Sequence, residues 1–150
     1  MNIMLTFTLV IVALFSSQVF AECTTNRNAN ISITKPDSQY TDHGDGTVTD
    51  KQTELMWQKC TLGLTGTSCA SGTALTLTWQ AALASANNNT DNGYSDWRVP
   101  NKNELESLVE DACYNPAINE TVFPGTVSSV YWSSSPYAGV SYGAWNVSFS

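Results

Sequence analysis

The chain has 150 residues, with 13 acidic side chains against six Lys and Arg, and a formal net charge of −7. The six bases (Arg27, Lys35, Lys51, Lys59, Arg98 and Lys102) form no run, which argues against nucleic acid and other polyanions as ligands. A chain of this length suits one domain built round one core.

Residues 1–21 read as a signal peptide. Residues 5–15 form an apolar stretch of the length that export requires and too short for a stable bilayer span, and Ala21 supplies a small residue at the cleavage point. The segment before that stretch has no Lys or Arg, so the rival reading is an uncleaved N-terminal anchor, the one membrane contact the sequence offers. Glu22 before Cys23 does not suit lipoprotein processing. Four cysteines fit an oxidising compartment. Of three possible pairings, Cys60 with Cys69 is expected because they enclose a Gly- and Thr-rich loop, leaving Cys23 for Cys113. A zinc site is the alternative, but no C-x-x-C spacing supports it.

Residues 22–39 are polar and irregular, with one short strand expected over 31–33. Residues 42–46 form a turn cluster, and residues 47–49 and 55–59 read as a hairpin round a turn at 50–53. A helix is expected over 78–86, capped by Thr78, with Trp79, Ala82, Leu83 and Ala86 on one face. The run of Asn87, Asn88 and Asn89, then Asn92 and Gly93, ends it. A second helix begins after Pro100, where Asn101 and Glu104 have capping-box spacing. Its expected buried stripe is Leu105, Leu108, Val109 and Ala112, with Glu104, Glu106, Glu110 and Asp111 outside it. Residues 127–134 are β-prone, 135–143 form a loop of small residues, and 144–150 alternate with Trp145, Val147 and Phe149 on one face. Strands, two helices, then strands make an α+β class.

Few constellations carry chemistry. Asp42, Asp45 and Asp50 resemble a calcium loop in composition, but alternate ligand positions fall on Gly44, Gly46 and Val48, so a Gly-Asp turn is the better reading. His43, the single histidine, reads as a surface residue. No carboxylate pair stands out for glycoside hydrolysis. No catalytic residue, metal or cofactor is expected. Trp57, Trp79, Trp132 and Trp145 read as core residues, whereas Tyr137 and Tyr142 lie in a loop and are the candidate ligand contacts. Asp96 and Arg98, either side of Trp97, are expected to pair and brace the start of the second helix. The Asn30, Asn88, Asn119 and Asn146 sequons would matter only in a eukaryotic secretory pathway.

Four segments together carry a family resemblance: residues 45–59 (DGTVTDKQTELMWQK), 79–86 (WQAALASA), 93–105 (GYSDWRVPNKNEL), and 131–138 (YWSSSPYA) followed by AWNVSF. They resemble the Lcl C-terminal domain family, named for the C-terminal domain of a bacterial collagen-like adhesin, over residues 40–150. The resemblance implies a C-type-lectin-like α+β fold, with two helices on short, mostly antiparallel sheets, related to formylglycine-generating-enzyme and phage-variable-protein domains. It implies export from Gram-negative-type bacteria and a secreted, periplasmic or surface location. In the founding adhesin the domain binds sulfated glycans and supports attachment. Glu54 stands where the family usually has Gly, so the turn is expected either to be rebuilt or to accept strain. The family continues past Ser150 with a further strand, so a truncated C-terminus is expected, with an exposed sheet edge. The leading expectation is a non-catalytic binding or adhesion module for glycan or another surface protein. The alternatives are a formylglycine-generating-type enzyme and an assembly subunit completed by a partner strand.

Overall fold

The structure, a computed structural model, describes residues 22–24, 26–140 and 142–150. The signal-peptide reading of residues 1–21 lies outside the described residues. Three short antiparallel sheets and two short α-helices make an α+β fold closed by two disulfides.

The first sheet pairs β1 (Tyr40–Asp42) with β2 (Thr47–Asp50), and β2 with β3 (Met56–Gln58). Aspartates shape both of its turns. Between β1 and β2, Asp42 accepts from the Gly44 N–H and Asp45 from the Thr47 N–H and hydroxyl. Between β2 and β3, the fully buried Asp50 carboxylate accepts from the Gln52 N–H, the Thr53 hydroxyl and the Gln39 amide. Glu54 closes this turn at φ 59°, so the chain keeps the left-handed conformation that a glycine would adopt without strain. The expected hairpin is therefore present. β1 lies where a turn and the end of an irregular segment were expected.

Residues 60–69 are a closed loop, as their spacing suggests, since Cys60 and Cys69 are bonded with Cα atoms 5.3 Å apart. Within and beyond it, β4 (Leu64–Thr65) and β5 (Ser71–Gly72) form a two-stranded ladder. A Cβ on Gly72 would lie 2.2 Å from the Gly63 carbonyl oxygen, so this close approach requires glycine.

Helix α1 (Trp79–Asn87) starts where Thr78 Oγ1 accepts from the Ala81 N–H. Its apolar face is half-covered, and none of its residues is fully buried. Helix α2 (Lys102–Glu106) starts with the full capping box: Asn101 accepts from the Glu104 N–H, and Glu104 accepts from the Asn101 N–H. It is shorter than the expected stripe. Leu108 and Ala112 are buried, but beyond the helix, in turns and a bridge between Val109 and Ile118.

That early stop reverses the expectation for Glu110, which is fully buried rather than outside the apolar stripe. Its carboxylate accepts from the Thr34 N–H and hydroxyl, the Lys35 N–H and the Ala112 N–H. Main-chain donors thus replace the water that the charge gave up. The same contacts dock the N-terminal segment. The strand expected over 31–33 is absent. Arg27 bridges Cys113 instead, Cys23 is bonded to Cys113, and Asn119 donates to the Lys35 carbonyl and to Asp37. A single main-chain bridge, a disulfide and side-chain hydrogen bonds, rather than an extended ladder, fix this polar stretch.

The last sheet is the ribbon β6 (Val130–Pro136) with β7 (Ala144–Ser148), paired antiparallel and bulged after Trp132. Its inner face adds Val147 and, through Tyr131 and Phe149, aromatic edges to a core of Tyr40, Val48, Leu105, Leu108, Ile118, Val122 and Phe123. Burial, then the Asp50 and Glu110 carboxylates, push the pKa of the Tyr40 hydroxyl well up, which keeps it a neutral core group. An indole-rich interior is not what the structure shows. Trp57 only packs against this core from a half-buried position, and Trp132 and Trp145 are exposed. Aliphatic residues and Phe, Tyr rings fill a centre too small for five indoles.

Candidate binding surface

Indole N–H groups explain where three of the tryptophans sit. Trp79 Nε1 donates to the Ser133 carbonyl (2.9 Å) and Trp132 Nε1 to the Leu77 carbonyl (3.0 Å). The two reciprocal bonds tie the start of α1 to β6. Trp97 Nε1 donates to the Asp91 carbonyl (3.0 Å), and its ring meets Tyr94 edge-on. Each of these rings has a wall to lean on and a carbonyl to satisfy. Trp132, expected in the core, is therefore a surface brace.

Trp145 differs. It is 48% exposed, and among the described residues its indole N–H has no protein acceptor. Its ring stands edge-to-face with Tyr137, centroids 5.2 Å apart. Tyr137 follows β6 directly and is also exposed, as is Tyr142 on the segment leading to β7. A Cβ on Gly139 would lie 2.6 Å from the Tyr137 ring, so the glycine lets the ring lie against the loop. The ribbon end thus displays a Tyr137–Trp145 pair with Tyr142 close in sequence. Both tyrosines expected from the loop are where the sequence places them. Trp145 was missed because its alternation with Val147 and Phe149 reads as an inward face. The signal against that reading is its place at the loop end of the strand, past the reach of the core.

The braces behind this ribbon are polar. Arg98 forms a two-pronged pair with Glu104, Nη1–Oε2 2.7 Å and Nη2–Oε1 2.9 Å. Asp96 takes no part in it, correcting the expected Asp96–Arg98 pair: Glu104 is already held at the helix start by its cap, facing the guanidinium. The Arg98 hydrogen bonds, aided by the Asn101 N–H, hold the Glu104 carboxyl below the ordinary carboxylate range, and Glu104 holds Arg98 above its own. From the same turn, the Pro100 carbonyl accepts from the Ser134 N–H and the Lys102 N–H donates to Ser135 Oγ, fixing α2 against β6.

The aspartates weighed for calcium are occupied otherwise. Asp42 pairs with Lys59 at 2.6 Å, and that hydrogen bond, then the Gly44 N–H, lower its pKa. Asp45 and Asp50 serve their turns, and His43 is exposed beside Thr49. No cluster of three metal-ligating side chains occurs among the described residues. All four cysteines are in the two expected disulfides, so no thiolate set remains for zinc.

These features define a disulfide-stapled α+β domain that presents an aromatic-ended hairpin. Residues 46–150 match the model of the Lcl C-terminal domain, and the chain belongs to that family, which suggests an adhesin-like surface module. No curated protein and no solved structure matches it.

Proposed function

We propose that this chain is an exported, non-catalytic, C-type-lectin-like binding module whose aromatic ribbon end stacks on sugar rings. The exposed edge-to-face pair of Tyr137 and Trp145 carries this reading. Rings held in one orientation, with free faces and a free indole N–H, suit the mixed apolar and hydroxyl surface of a pyranose. The net charge of −7 favours neutral over sulfated glycans. Two cystines suit an oxidising location outside the cytoplasm and leave no thiol for formylglycine-type chemistry.

A glycan array probed at low and high salt tests the reading. Neutral glycans should bind at both, and Trp145→Ala should abolish binding while leaving the unfolding midpoint nearly unchanged. Absence of binding at either salt concentration, or equal binding by Trp145→Ala, would refute it.

A further inference from the structure

Residues 61–88 are held to the body of the fold by few contacts. The stretch runs through β4, β5 and α1 and contains no Asp, Glu, Lys, Arg or His, so no ion pair anchors it. Cys69 is its one buried residue, lying close against Gly125, and its disulfide partner Cys60 sits at the start of the same stretch. β4 and β5 pair only with each other. Among the described residues, no main-chain hydrogen bond joins residues 61–88 to anything beyond their immediate neighbours in sequence.

Three side-chain hydrogen bonds make the attachment. Thr61 Oγ1 shares one with the Tyr131 hydroxyl (3.1 Å), Trp79 Nε1 donates to the Ser133 carbonyl, and Trp132 Nε1 donates to the Leu77 carbonyl. All three fall on successive residues of β6. Leu77, Trp79 and Leu83 are only half-buried. A segment with so little buried surface opens far more readily than the core round Val48 and Phe123. Once off β6, a nine-residue helix is too short to stay folded in water. The flanks are firmer. The Lys59 N–H donates to the Gly46 carbonyl, and Asp91 accepts from Gln58 and from the Trp97 indole. Movement is therefore confined to the stretch between them.

The strip it covers reaches the aromatic ribbon end. Ser133 is fully buried. Its carbonyl takes the Trp79 indole, and its hydroxyl donates to the Trp145 carbonyl (2.7 Å). One residue thus links α1 to the main chain that carries Trp145.

We propose that residues 61–88 form a flap that undocks from β6 as a unit, with the crossed Trp79 and Trp132 bonds as its latch, and that the docked flap fixes Trp145 through Ser133. Docking and ligand capture at the ribbon end then favour each other by the same factor. Only this consequence for capture rests on the sugar-binding reading; the undocking does not.

Hydrogen exchange of the full chain with both disulfides intact, resolved by NMR, tests the proposal. Protection of the α1 amides and of the Trp79 and Trp132 indole N–H groups should be about 100-fold or more below that of the buried Asp50 and Phe123 amides. Trp79→Phe removes one latch bond and keeps an aromatic ring in place. It should speed exchange of the α1 amides and the Trp132 indole by about fivefold and leave Asp50 and Phe123 within about twofold of the parent. The nuclear Overhauser contact between the Tyr137 and Trp145 rings should weaken in the same variant. Equal protection of α1, Asp50 and Phe123 would make the chain one cooperative unit and overturn the proposal. Equal acceleration of both groups in Trp79→Phe would overturn it too, as would an unchanged Tyr137–Trp145 contact. None of these readouts uses a glycan, so an array without binding removes the sugar reading alone.

Discussion

Replacing Glu110 probes how the N-terminal segment is held. In Glu110→Ala, the N–H groups of Thr34, Lys35 and Ala112 lose their acceptor in an interior where the side chain is fully buried. Each stranded buried donor costs about 1–3 kcal/mol. Allowing water into part of the vacated space, the loss should be about 3–5 kcal/mol, against a total of about 5–15 kcal/mol for an ordinary domain. Glu110→Gln keeps the volume and one acceptor oxygen but sets an NH₂ group among donors, so about 2–4 kcal/mol is expected. Urea unfolding of the oxidised protein, followed by tryptophan fluorescence, measures both. Amide exchange at Thr34 and Lys35 should quicken in parallel, because the disulfide from Cys23 to Cys113 tethers the segment without supplying those acceptors. A loss under about 1 kcal/mol in Glu110→Ala, with unchanged exchange at Thr34 and Lys35, would refute the claim that this carboxylate organises the segment.

Four further outcomes are expected. Removing the Cys23–Cys113 bond, which spans 90 residues, should cost about 4–5 kcal/mol, and removing Cys60–Cys69, which spans nine, about 2–3, as compared by denaturation of the double serine variants. Glu54→Gly should relieve the left-handed strain at φ 59° and raise stability by about 0.5–1 kcal/mol, net of the freedom glycine adds to the unfolded chain; a loss would contradict it. Because the Glu104 carboxyl is held below its ordinary value of 4.5, its pairing with Arg98 stabilises the fold above that pH, and the contribution disappears as pH falls through the lower folded value. Glu104→Gln should therefore lose less stability on acidification than the parent, by an amount kept under about 1 kcal/mol by the solvent at Arg98. Tyr137→Ala should weaken glycan binding while unfolding within about 0.5 kcal/mol of the parent, since the ring is exposed.

Much of the framework was legible where a local rule decides the outcome. Thr78 and Asn101 start helices because a side-chain oxygen reaches the first free N–H groups, and that geometry needs only a few neighbouring residues. The hairpin from Thr47 onward and the Cys60–Cys69 pairing follow from short spacings in the same way, and that pairing leaves Cys23 only Cys113. What escaped depends on contacts distant in sequence. Glu110 reads as a solvent-facing helical residue until residues 34 and 35, some 75 positions earlier, bring their donors to it. Arg98 has carboxylates on both sides in sequence, and the cap on α2 selects Glu104. Trp145 shows the same limit: alternation tells which face a residue occupies, but not whether the core extends that far along the strand. Trp132 instead lies on the face opposite Tyr131 and Val147, away from the core.

A ribbon of two strands has little rigidity of its own. Here it takes its firmness from a few attachments on one flank: the crossed indole bonds to the start of α1, and the Pro100 and Lys102 contacts at the start of α2. The far end, where Tyr137 and Trp145 meet, is thus steered from a distance, like a lever by its mounting. A substitution at Trp79 or Ser135 would then alter how those rings are presented without touching anything they hold.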